Sequence, residues 1–171
     1  ISNIQVTSSE ILGVEDRGGY YESSGALKDM VQNHMLQMVA LLAMEAPISL
    51  NSEDIRAEKV KVLKSLRHFQ SEDVKKNFVR GQYGEGYIDG KQVKAYRDED
   101  RVADDSNTPT FVSGKLTIDN FRWAGVPFYI RTGKRMKSKT IQVVVEFKEV
   151  PMNLYYETDK LLDSNLLVIN I

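Results

Sequence analysis

The chain has 171 residues, with 23 Lys and Arg against 24 Asp and Glu and a net charge of −1, a balance that favours neither a nucleic-acid binder nor a polybasic membrane protein. It contains no cysteine, which excludes disulfides, thiolate metal sites and a cysteine nucleophile within it. Its two histidines, His34 and His68, lack HExxH-type spacing, so no metal site is expected, and no apolar run reaches the roughly 18 residues of a membrane span.

In chain order, NIQVTSSE (3–10) alternates Ile4 and Val6 with Gln5 and Thr7, the two-residue period of a half-buried strand. The N-terminal stretch lacks the basic and apolar regions of a signal peptide. Residues 12–25 hold four glycines and read as a loop. A long helix is predicted from about Ser24 to Glu45, capped by Ser23 or Ser24 and ended by Pro47. Its apolar stripe is Leu27, Met30, Val31, Met35, Met38, Leu41 and Leu42. Asn51 opens a second, amphipathic helix through Phe69, with Asp54 completing a capping box. Residues 77–86 read as a strand leaving into a Gly-rich loop, and 96–110 as an ordered polar loop. Four strands follow at 110–118, 126–131, 139–149 and 165–171. Strands in succession without helical crossovers argue for an α+β fold, an antiparallel, meander-like sheet with helices packed on one face. The chain stops inside a strand-like run, LLVINI, as expected of a piece of a longer protein.

Two stretches carry candidate chemistry. The long helix is apolar, yet Asp29, Gln32, Asn33 and His34 crowd its start. His34 lies on or beside the apolar stripe, so it is either a buried histidine satisfied by hydrogen bonds or a general base, because imidazole exchanges a proton near neutral pH. Asp29 is five residues earlier, about 140° around an α-helix, so the two cannot pair directly but can flank one cleft. RTGKRMKSK (131–139) has five basic residues in nine: Arg131, Lys134, Arg135, Lys137 and Lys139. It is either a solvated basic hairpin end or an anion clamp converging on a phosphate. The lone GxG of YGEGY (83–87) lacks a third glycine and a βαβ setting, so it is no dinucleotide fingerprint.

Three stretches in register, GYYESSGALKDMVQNHMLQMVALLAMEAP (19–47), VRGQYGEG (79–86) and DSNTPTFVSGKLTIDNFRWAGVPFYIRTGKRM (105–136), resemble the C-terminal, substrate-binding and dimerising part of the glucose-6-phosphate dehydrogenase family. The resemblance spans nearly the whole chain and weakens over 87–100 and 150–165. It implies that residues 1–171 are a single partial C-terminal domain of a longer cytoplasmic enzyme. That enzyme oxidises glucose 6-phosphate to the 6-phosphogluconolactone, the opening step of the pentose phosphate pathway, passing hydride to NADP or NAD. It further implies His34 as the base that takes the proton from the sugar's 1-hydroxyl. Asp29 and Glu10 would bind sugar hydroxyls, Lys134 would lie nearer the sugar and Lys139 nearer the phosphate.

The family's coenzyme domain is absent, so NADP or NAD would be bound mainly by the missing N-terminal domain. Absent too is the family's DHYLGK stretch, with much of the phosphate grip and the aspartate that orients the base, so this chain alone is expected to be inactive. A structural NADP site of some members is not expected: Arg131 matches one of its cations, but Thr140 and Val144 stand where others would be. The implied partners are glucose 6-phosphate and a second copy through the sheet, with no nucleic acid or membrane. The competing reading is a non-catalytic α+β module that binds a sugar phosphate or dimerises.

Overall fold

The computed structural model describes residues 1–149 and 163–171. Its main sheet has six strands: β1 (Asn3–Ser9), β2 (Phe78–Gly81), β5 (Phe111–Thr117), β6 (Pro127–Gly133), β7 (Thr140–Glu146) and β8 (Leu166–Asn170), ordered β2-β5-β6-β1-β7-β8. Period-two patterning places Ile4, Val6, Phe128, Ile130, Val143 and Val145 on one buried face. Gln5, Tyr129 and Arg131 point to the other, exposed face. Among the described residues the helices cover the buried face, and the α+β class is as expected.

The strand order is not a meander. β1 sits between β6 and β7, parallel to β6 in the register Val6 to Ile130, and antiparallel to β7. All the described helices lie between β1 and its partners in sequence, so no hairpin fixes its direction, and a long connection permits parallel pairing. A separate hairpin, β3 (Gly86–Ile88) with β4 (Lys91–Val93), turns at Asp89 and Gly90, both at positive φ. The Asp-Gly pair is the sequence signal for that turn.

The long helix starts earlier than its glycines suggest. After a short 3-10 turn at Glu15–Arg17, α1 runs Gly18–Ala26. Gly18 is a packing glycine: a Cβ there would stand 2.2 Å from the Asp100 carbonyl oxygen. Ser23 and Ser24 do not cap the helix. Both hydroxyls donate back to the Tyr20 carbonyl, at 2.7 and 3.2 Å. The helix bends at Gly25 (φ 56°), where the Ala26 N–H donates to the Pro109 carbonyl at 2.8 Å. Leu27–Met35 then form a wide π-helical segment, and α2 (Leu36–Ala43) completes the rod. Val31, Met35, Val39 and Ala43 are buried against the sheet, each of the larger three worth about 1.5–3 kcal/mol of transfer energy. The Trp123 indole donates to the Ala43 carbonyl at 2.8 Å, satisfying an orphan group at the helix end.

The second predicted helix divides in two. α3 (Ser52–Lys64) is capped by Asn51, whose side chain accepts from the Asp54 N–H at 2.8 Å. The chain then leaves helical geometry, where the Arg67 N–H bonds to the Thr117 carbonyl at the end of β5. A further helix, α4 (Ser71–Asn77), begins at a Gln70–Asp73 capping box. The polar segment 96–110 is ordered, as expected, and part of it is interior. Tyr96 is fully buried, and its hydroxyl and that of Ser106 donate to Glu22 at 2.7 and 2.6 Å.

Candidate active site

Strand β1 ends at Ser9, and Glu10 follows it beside the helical rod. Ser8, Ser9 and Glu10, with His34 and Lys139, line a cleft of about 560 Å³ between the rod and the start of β7. His34 is exposed to this cleft. Of the two sequence readings of this histidine, the buried, internally satisfied one does not hold. Met30 and Met38, assigned to the core stripe from spacing, also line the cleft and give it an apolar wall.

Glu10 lines a second, adjoining cavity of about 220 Å³ together with Lys134 and Tyr21. The Lys134 Nζ donates to Glu10 Oε2 at 2.6 Å, with the lysine side chain only 10% exposed. It also stands 5.3 Å from the centre of the Tyr21 ring. Burial first, then the charges of Asp29 and Glu10, push the Tyr21 phenol well above its usual range, so the ring beneath the ammonium is neutral. The buried Tyr21 hydroxyl has no partner among the described residues. Glu10 is therefore common to both cavities, and Lys134 holds it from the side of the smaller one.

Asp29 is half-buried and lines neither cavity; its Oδ1 accepts from the Tyr20 hydroxyl at 3.3 Å. Its relation to His34 nonetheless differs from the α-helical expectation. In the π segment the Leu36 N–H bonds to the Val31 carbonyl, an i→i+5 pattern. In such wider turns residues five apart are separated by less than the about 140° of an α-helix, which brings Asp29 nearer to the side of His34. Such wide turns occur often at functional sites.

The basic run 131–139 does not act as one clamp. Arg131 points to the open face of the sheet, beside Gln5 and Tyr129. Lys137 is exposed. The Arg135 guanidinium turns inward to Glu99, and only Lys134 and Lys139 reach the two cavities. Alternation along β6 separates Arg131 from the site by one residue of register, a division that counting charges cannot reveal. The cleft also contains Asn33, noted in the sequence among the polar residues at the start of the helix but given no role, and Gln37, which was not singled out. Gln37 is three residues after His34, and that spacing was the available signal.

Among the described residues no cluster of metal-ligating side chains occurs, and no helix is long and apolar enough to cross a membrane.

An α+β domain with an exposed imidazole, a carboxylate and two lysines around adjoining clefts is suited to holding a small polyhydroxylated anion. The family model for the C-terminal domain of glucose-6-phosphate dehydrogenase matches residues 1–171. The glucose-6-phosphate 1-dehydrogenase of Bacillus subtilis (strain 168) is 69% identical over 171 residues, covering 100% of this chain and 35% of that protein. That of Mycolicibacterium smegmatis is 47% identical over 172 residues, covering 100% and 34%. The crystal structure of the Mycobacterium avium enzyme superposes with a TM-score of 0.85 at 36% identity, over 99% of this chain and 35% of that one. A glucose-6-phosphate dehydrogenase in complex with its substrate glucose 6-phosphate superposes at 0.84 and 37% identity, over 99% and 33%. The chain belongs to the glucose-6-phosphate dehydrogenase family and matches its C-terminal domain. It spans about a third of the length of the curated relatives it matches.

Proposed function

We propose that the full-length protein oxidises glucose 6-phosphate to 6-phosphogluconolactone, with NADP or NAD as hydride acceptor, and that this domain supplies the base and part of the sugar-phosphate grip. The observation that carries the reading is the shared cleft: an exposed His34 with Glu10 and Lys139 on its walls. In this reading His34 accepts the proton of the sugar's 1-hydroxyl as the carbonyl forms. Glu10 and Asp29 accept hydrogen bonds from sugar hydroxyls, Lys134 holds Glu10 and reaches the sugar, and Lys139 meets the phosphate.

In this reading the hydride acceptor is held mainly by the rest of the full-length protein. Supporting this, Gly84 and Gly86 lead into the β3–β4 hairpin and not into the N-terminus of a helix, where a dinucleotide pyrophosphate would sit. A homodimer through the open face of the sheet is part of the proposal, supported by the exposure of Tyr129 and Arg131 there. So is a cytoplasmic setting.

The test is turnover. The full-length protein is expected to reduce NADP or NAD on addition of glucose 6-phosphate, and this chain alone to give none. A full-length protein without such turnover, or turnover proportional to this chain's concentration, would contradict the reading.

A further inference from the structure

Arg135 follows Lys134 directly and takes a left-handed backbone conformation (φ 55°), unusual for a residue with a side chain. Its guanidinium, 17% exposed, donates from Nη2 to Glu99 Oε1 at 3.1 Å and lies 3.6 Å from Glu15. Glu99 is itself 7% exposed and accepts from the Tyr83 hydroxyl at 2.9 Å. That hydroxyl in turn accepts from the Val14 N–H at 3.2 Å.

The Arg135 side chain packs flat on Gly13, where a Cβ would stand 2.6 Å from Nε. The backbone repeats the clamp. The Glu10 N–H donates to Gly133, Arg135 to Leu12 and Met136 to Glu10, at 2.9, 3.1 and 2.8 Å. Residues 10–15 and 133–136 are thus one unit, in which the Glu10–Lys134 pair borders the cavities and the Arg135–Glu99 pair is set back from them. Neither Arg135 nor Glu99 lines either cavity.

We propose that Arg135 and Glu99 are positioning residues, a buried pair that fixes where Glu10 and Lys134 point and so sets affinity for the sugar phosphate. The proposal rests on the function read above for its substrate. Stability alone is a poor reason for such a pair, since apolar residues of similar volume often serve a fold as well as a buried ion pair.

The test uses full-length protein carrying Glu99→Gln, Arg135→Lys, or the double change Arg135→Met/Glu99→Met. The double variant leaves no unpaired buried charge, so its melting temperature should stay near that of the wild type. Acetylation of Lys134 by a mild acylating reagent is followed by mass spectrometry, alongside KM and kcat for glucose 6-phosphate. In all three variants Lys134 should label several-fold faster. KM should rise about tenfold, within the range that a misplacement of about 1 Å costs, with a smaller fall in kcat. A folded double variant with wild-type labelling, or with faster labelling but wild-type KM, overturns the proposal. If the wild type does not oxidise glucose 6-phosphate, the functional reading fails by itself. Faster labelling in the variants then supports the positioning role, and unchanged labelling overturns it.

Discussion

His34→Asn in the full-length protein is expected to lower turnover by at least about 10²- to 10⁴-fold while KM stays nearly constant. An asparagine amide can keep one hydrogen bond to the sugar's 1-hydroxyl, so binding of the ground state changes little. It cannot accept the proton, because an amide is not a base near neutral pH. An interaction made only in the transition state, once removed, lowers kcat and kcat/KM together. A histidine with a packing role would respond differently, with a lower melting temperature and near-normal turnover in the folded fraction. The exposure of His34 to the cleft predicts little change in melting temperature. Turnover and melting measured on one preparation separate the two, and a folded variant retaining more than about a tenth of its turnover would remove His34 from the role of base.

Lys139→Ala is expected to raise KM for glucose 6-phosphate by about 10- to 100-fold, the equivalent of one charge-assisted hydrogen bond of about 1.5–3 kcal/mol. The loss should be smaller for free glucose, which offers no phosphate. Lys139 is exposed on the wall of the His34 cleft, so its removal leaves no buried charge behind. KM values for the two sugars in the variant and the wild type check this. Equal losses for both would place Lys139 on the sugar, and no loss would make it a solvated surface lysine.

Much of the frame was legible from residue spacing. Alternation in 3–10 and 126–131 gave β1 and β6, and Asn51 with Asp54 gave the cap of α3. What spacing could not give was contact between distant segments. The glycines at 18 and 19 read as a loop, because glycine is weak in helices. Gly18 is there because the Asp100 carbonyl passes too close for a Cβ. β1 reads as one more antiparallel strand, but its neighbours are chosen across most of the chain, where no local turn can announce them.

The site divides in the same way. Glu10, His34 and Lys139 were nameable from the resemblance and share one cleft. The π segment was not legible, because its apolar residues fit a helical period of 3.6 well enough, and that period sets Asp29 apart from His34. Nor was the parting of the basic run. Whether a cation faces the site, the open sheet or a buried carboxylate depends on register and on Glu99, which lies 36 residues before Arg135.

The most direct measurement is a crystal structure of the full-length protein with glucose 6-phosphate bound. The account predicts the sugar's 1-hydroxyl within hydrogen-bond distance of the His34 imidazole, its other hydroxyls toward Glu10 and Asp29, and its phosphate at Lys139. A sugar phosphate seated elsewhere, such as the cleft lined by Arg80 and Arg97, with His34 facing solvent, would contradict it.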